Sequence, residues 1–348
     1  MKPATKTRSK SVGRSIRKAL ALTLALFAGA AAAQGKGETV RIQDHLGVIT
    51  LPVRVAIAKG YCSNYGIKCE LQPIPTAALG MQALMAKNIE AAVAALEVWI
   101  PAVQKGAKVK AVVNIMSKNL GLMVVGNHVD APNAAKPFPA WVADLKGKKI
   151  GVTSRGSGVE TGVRFLLEKA GMKAEDVTFV AVGAPNTAYA ALVNKQIDFA
   201  MSYEPMGTMC DVTRNCKVLW RADADPQPAE TYATNGGGAG LILNQAYIDA
   251  NPHVVEALIK AIGDADKFIN NPANFDEVIK INDAYFKFDI PNGDALMRAL
   301  MQRQIKHGIF DPKISRPAVK ATVDFMLKTG QWDKGIEPAE IIDARAPQ

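Results

Sequence analysis

Apolar and polar positions alternate along this chain in two periods, and the same succession occurs twice. Residues 83–93 read ALMAKNIEAAV and residues 191–201 read ALVNKQIDFAM. Laid over each other, Ala83, Leu84, Lys87, Ile89 and Ala92 meet Ala191, Leu192, Lys195, Ile197 and Ala200, and Glu90 meets Asp198. With a small shift upstream, Val53, Arg54 and Lys59 fall on Val163, Arg164 and Lys169, and Val40 and Ile42 fall on Ile150 and Val152. Period-two runs predict strands at 39–44, 68–74, 91–95, 109–115 and 122–126, then at 144–152, 177–182, 199–203, 218–220 and 241–243. Helical spacing predicts helices over 51–61, 79–87, 100–105, 159–169 and 187–194, with a helical remainder at 252–270, 275–281, 293–307 and 317–328.

Strand–helix alternation implies an α/β fold with mostly parallel sheets and right-handed crossovers. Two such units predict two similar lobes, with ligands at the carboxyl ends of the strands. Residues 122–126 and 240–243 are read as the two segments that cross between lobes and form a hinge. The expected organisation is lobe 1 at 38–126 plus 240–348 and lobe 2 at 127–239.

Composition refines this picture at the N-terminus. The formal charge is +10, but seven basic residues with no acid lie in the first 18 positions, leaving only +3 for the rest. Nucleic-acid binding thereby loses its main support. The basic stretch, the apolar run from Ala19 and the small residues Ala31–Ala33 have the form of a secretory signal spanning 1–33, with a soluble product outside the cytoplasm. The four cysteines form two close pairs, Cys62 with Cys69 and Cys210 with Cys216. In an exported chain these read as disulfides; three pairings are possible and the local one is simplest.

Candidate chemistry gathers at the strand ends. The loop TSRGSGVETG, residues 153–162, joins a strand to a helix and places Ser154, Arg155 and Ser157 where backbone N–H groups and a helix start favour an anion. Its glycine spacing departs by one residue from a dinucleotide fingerprint. Glu97 and Glu204 end equivalent strands. Such a pair serves acid/base chemistry or binds an amino group or NH edge, and each residue alone also reads as a helix cap. Asp44 and His45 follow the first strand. Thr76, Asn186 and Thr187 stand at helix starts, where capping competes with ligand binding. Tyr203 and Trp99 suit stacking on a flat ligand or packing in a core. No metal-ligand spacing or nucleophile motif appears, and no cofactor is expected.

These residues resemble a known family. DLKGKKIGV before a Ser/Gly loop, the paired AL-x-x-K-x-I-[ED]-x-A elements, Tyr203-Glu204-Pro205, VAIAKGYCSNYGIKCEL and NPHVVEALIKAI are similar to the substrate-binding proteins of ABC importers in the nitrate, sulfonate and taurine group, relatives of thiamine-pyrimidine-precursor proteins. The resemblance implies a type II periplasmic binding protein: a monomer, not an enzyme, that delivers a small solute to an ABC permease and ATPase. It assigns cleft roles to Ser154, Ser157 and Glu204. The solute it implies is a small anion such as a sulfonate, nitrate, taurine or an aromatic carboxylate. The alternatives are a nitrogen heterocycle such as a pyrimidine precursor, or an enzyme of the pyrimidine-synthase type with an iron site.

Overall fold

The computed structural model describes Met1 and residues 35–348. The expected signal segment, 1–33, lies outside the described residues apart from Met1. Ten strands form two five-stranded sheets. The first is built from β1 (Thr39–Asp44), β2 (Lys68–Pro73), β3 (Ala91–Ala95), β4 (Val109–Met116) and β10 (Ala239–Asn244), in the order β2-β1-β3-β10-β4. The second contains β5 (Gly121–Gly126), β6 (Lys149–Val152), β7 (Thr178–Ala181), β8 (Phe199–Tyr203) and β9 (Cys216–Arg221), in the order β7-β6-β8-β5-β9. The two orders are the same pattern, as the duplicated sequence requires. β1 runs parallel to β2 and β3, and β6 runs parallel to β7 and β8.

Each sheet holds one antiparallel strand, delivered by the chain as it arrives from the other sheet. β10 pairs with β3 and β4, and β5 pairs with β8 and β9. This corrects the expected crossings. Residues 122–126 and 240–243 are buried strands bonded on both edges, so they cannot be the exchange segments. The passage is made just before each of them, through 117–120 and 222–238. By sheet membership β5 therefore belongs with the second lobe.

The longer helices are α1 (Leu51–Ala58), α2 (Ala77–Met85), α3 (Leu96–Gln104), α4 (Gly158–Lys169), α5 (Pro185–Val193), α6 (Met206–Thr213), α7 (Pro252–Ile269), α8 (Phe275–Asp283), α9 (Gly293–Lys306) and α10 (Arg316–Lys328). Helix α1 stops before its predicted end because Gly60 turns left-handed at φ 71°. The short helix expected at 100–105 begins four residues earlier, so Glu97 stands in the first turn of α3 rather than in a loop.

Both faces of each sheet are covered. In the first lobe α1 and α7 bury Val40, Val53, Leu258 and Ile262 on one face, and α2, α3 and α10 bury Leu84, Trp99, Ile242 and Val319 on the other. In the second, α4 packs with Trp141, Phe165 and Phe199, while α5 and α6 pack with Leu122, Leu192 and Met206. Helix α10 touches both lobes: Phe325 meets Phe165 of α4 edge-on, with ring centroids 4.9 Å apart. Among the described residues no helix is long and apolar enough to cross a membrane.

Disulfides join Cys62 to Cys69 and Cys210 to Cys216, the local pairing. Chain entropy assigns a loop this short about 2 kcal/mol of stabilisation. Cys210→Ala with Cys216→Ala is expected to lower unfolding free energy by about that amount in urea titrations under non-reducing conditions. An unchanged denaturation midpoint would show that the crosslink contributes nothing.

Candidate functional site

The carboxyl ends of the parallel strands of both sheets open onto one cavity of about 750 Å³. That volume suits a small organic molecule. The first lobe contributes Leu96, Glu97 and Val98 at the end of β3. Met116 ends β4, and the crossings contribute Lys118, Asn119 and Leu120 on one side, and Thr231, Thr234, Gly237 and Gly238 on the other. The second lobe contributes Thr153, Ser157, Gly158, Val159 and Phe165 around the start of α4, together with Met201, Ser202, Tyr203 and Trp220. Phe325, Met326 and Gln331 close the back. The walls are mostly apolar and the polar groups are few.

Three predicted site residues line this cavity: Glu97, Ser157 and Tyr203. Ser157 caps α4, accepting the Glu160 N–H at 3.3 Å and a hydrogen bond from the Thr153 hydroxyl at 3.1 Å. The N–H groups of Gly158 and Val159, first in the helix, have no protein acceptor among the described residues. They leave the positive end of the helix open to the cavity. The opposite lobe is close by: a Cβ on Gly158 would stand 2.8 Å from Gln331 Oε1.

Glu97 projects into the cleft with its side chain solvent-exposed but walled by protein. The scarcity of bulk water there raises its carboxyl above the ordinary range, and its own backbone N–H only partly offsets this. It forms no ion pair among the described residues. Ser202 Oγ, also at the cavity wall, is buried without a hydrogen-bond partner.

The other predicted residues do not line the cavity, and most are held by partners of their own. Arg155 does not reach the cavity. Its Nε donates to Glu160 at 2.8 Å and its guanidinium lies over the Phe179 ring at 5.6 Å. Gly156, at φ 75°, makes the turn that sends Arg155 outward while its own N–H donates to Glu160 at 2.9 Å. Ser154 does not line the cavity either. Glu204 is buried beside it, accepting the Thr208 N–H and hydroxyl at 2.9 Å each and paired with Arg221. Asp44 pairs with Arg54 at 2.7 Å, and the His45 ring bonds the Leu46 carbonyl at 2.8 Å. Thr76 accepts the Leu79 N–H and caps α2. Thr187 donates to the Ala184 carbonyl at 2.9 Å, and Trp99 is core. Asn186 lines a separate cavity of about 300 Å³ with Tyr189, Ile290 and Asn292.

Lys118 and Asn119 were missed by sequence reasoning, although the abrupt end of apolar alternation at Met116 marks them. Gly237 and Gly238 belong to the glycine-rich run NGGGAG at 235–240. Among the described residues no three His, Cys, Asp or Glu side chains gather as a metal set.

Glu160 holds the loop together. Burial alone would raise its carboxyl, but hydrogen bonds from Arg155, Arg164 and the Gly156 N–H outweigh burial and hold it at about 2. A carboxyl held below its unfolded value stabilises the fold above about pH 4.5, and that contribution is lost as pH falls toward 2. Arg155 and Arg164 are themselves 58% and 43% exposed, so solvent screens the pairs. The expected contribution is on the order of 1–2 kcal/mol. Glu160→Gln should therefore cost stability at pH 7 and flatten the acid limb of the unfolding curve. An acid limb identical to that of the wild type would show that Glu160 does not titrate with folding.

Comparison with known proteins agrees with this architecture. Residues 49–274 match the family model described as NMT1/THI5 like. A protein of Brucella abortus (strain 2308), named only as a candidate binding protein, is 29% identical over 278 residues, covering 78% of this chain and 79% of that one. Among solved structures, a protein from Bordetella bronchiseptica RB50 superposes with TM-score 0.60 at 25% identity over 88% of this chain and 94% of its own. The periplasmic aliphatic sulphonate binding protein of Escherichia coli gives TM-score 0.65 at 16% identity, covering 88% and 97% of the two chains. The fold is the two-lobed periplasmic-binding-protein fold, described under that name for a Candida albicans protein of TM-score 0.58 and 15% identity, with 86% and 92% covered. Family model, fold and cleft agree, and the chain belongs to the NMT1/THI5-like family.

Proposed function

We propose that this protein is the solute-capturing component of an ABC importer, acting in the periplasm, that closes two lobes over a small polar organic solute and presents it to a permease and its ATPase. The observation that carries the reading is a cavity of about 750 Å³ walled by both lobes and floored by both crossings. In such an arrangement bound solute adds contacts to both lobes at once, so it favours the closed form by its differential affinity. The names of structural relatives support it: a sulphonate binder from Escherichia coli and the ligand-binding component of an ABC-type import system from Staphylococcus aureus share the fold. The open N–H groups at the start of α4 suit an acceptor or anionic end of the solute, and the apolar walls suit a carbon body.

The test is a thermal-shift screen of sulfonates, aromatic and aliphatic carboxylates, amino acids and pyrimidines, followed by X-ray scattering with each hit. A hit should raise the melting temperature and shrink the radius of gyration by lobe closure about 117–120 and 222–238. A library with no hit, or hits that leave the radius unchanged, would count against this function.

A further inference from the structure

Helix α10 belongs to the first lobe by its packing but ends against the second. Val319, Val323 and Met326 bury one side of it in the first lobe's core. Phe325, on an adjoining side, packs against the cores of both lobes. Its ring meets Phe165 of α4 edge-on, an arrangement that aromatic quadrupoles favour. Phe165 is only 4% exposed, so this contact is largely dry. Lys328, in the last turn of α10, stands 5.6 Å from the centre of the Phe165 ring, and Lys169, in the last turn of α4, stands at the same distance.

The two ammonium groups also meet on one carboxylate. Glu230 lies in the second crossing, and its Oε1 pairs with Lys169 and with Lys328, the latter at 3.2 Å. A hydrogen bond from Lys169, helped by the Glu230 backbone N–H and by Lys328, outweighs burial and holds this carboxyl at about 2. It is therefore ionised throughout the neutral range. One lysine comes from each lobe, and the carboxylate comes from a segment that joins them.

Phe165 and Phe325 both line the large cavity. A motion that parts the cavity walls here pulls Phe165 from Phe325, and no solute is needed to hold the two together. The edge strands β2 and β7 lie at the far side of each sheet from the strands that the crossings join. We infer that α10 is a strap across the hinge: without solute it limits how far the lobes part, and it leaves the side of β2 and β7 as the mouth that moves. Limiting the open form lowers the cost of closing, so the strap raises affinity whatever the solute. Glu230 decides its sign, because without that carboxylate two converging ammonium groups repel.

The experiment is pulsed dipolar spectroscopy on the free protein, spin-labelled at Leu79→Cys and Thr187→Cys. These exposed positions lie in the first turns of α2 and α5, just beyond β2 and β7. Against that labelled background, Phe325→Leu and Glu230→Gln should each raise the ratio of longer to shorter distances at least about threefold. With Lys328→Met already present, Glu230→Gln should act less, since one of the repelling charges is gone. The Lys328 and Glu230 side chains are 50% and 34% exposed, so their variants carry the test even if Phe325→Leu does not fold. Cooperative melting curves check the fold of each. Distances that stay the same or shorten in the folded variants would overturn the strap. So would an effect of Glu230→Gln that is equal with and without Lys328. Every measurement is made without solute, so failure of the strap leaves the importer reading untouched.

Discussion

Arg221→Met is expected to destabilise the protein by about 3–5 kcal/mol, because it strands a buried carboxylate. Glu204 is 7% exposed at the end of β8, and Arg221 is its charge partner. The same guanidinium reaches Asp211 at 2.5 Å. From the first-lobe side, Arg303 of α9 holds both oxygens of Asp223 at 2.8 Å and lies 3.7 Å from Glu204. Without Arg221, buried Glu204 would keep only Arg303, 3.7 Å away and already engaged by Asp223, while Asp211, 53% exposed, would turn to solvent. Removing both partners should hurt less than removing one. Glu204→Gln in the Arg221→Met background should therefore recover part of the loss, although Glu204→Gln alone is destabilising. Urea unfolding of the two single variants and the double variant measures this coupling. Additive losses, or a loss under about 1 kcal/mol for Arg221→Met, would show the cluster to be solvated and weak.

The same cluster explains which parts of this molecule can be read along the chain. The lobes could be, because strand and helix periods are local and occur twice with the same residues in register. The shared sheet order follows from that repetition. The functional side chains could be located only to a strand end, not to a direction. Glu97 and Glu204 occupy equivalent ends and look alike in sequence. Glu204 is captured by Arg221, seventeen residues on, and approached by Arg303 from a helix of the other lobe. Glu97 meets no such cation. Arg155 sits in a loop suited to anions, yet Glu160 five residues later draws its guanidinium away. Asp44 is likewise claimed by Arg54. In each case the outcome depends on a partner whose approach is set by tertiary packing. The crossings were misplaced for a related reason. An apolar run such as 122–126 looks the same whether it leaves a sheet or completes one, and only pairing on both edges distinguishes the two.

The second large effect is expected from one methyl group at the floor of the cleft. Gly238 lies where the returning chain passes over the end of β4. A Cβ there would fall 2.1 Å from the Met116 carbonyl oxygen, 2.9 Å from Ser117 C and 3.1 Å from Lys118 N. All three are backbone atoms, so no side chain can swing aside to make room. Ser117 is also tied down: its carbonyl accepts the Gly236 N–H at 2.6 Å and its hydroxyl donates to the Ile309 carbonyl at 3.1 Å. Gly238→Ala must therefore push the two crossings apart, at a cost of about 2–3 kcal/mol. Because Lys118 rides on the displaced segment, solute affinity should fall by about tenfold or more in the protein that still folds. Gly263 is the control, since it lies inside α7 and a Cβ there meets nothing within 4 Å. Gly263→Ala should be neutral or stabilising by up to about 1 kcal/mol through helix propensity. Urea unfolding and calorimetry on the two variants separate a steric block at the crossing from a general dislike of alanine. If Gly238→Ala behaves like Gly263→Ala in both measurements, the two crossings are loosely packed where they meet.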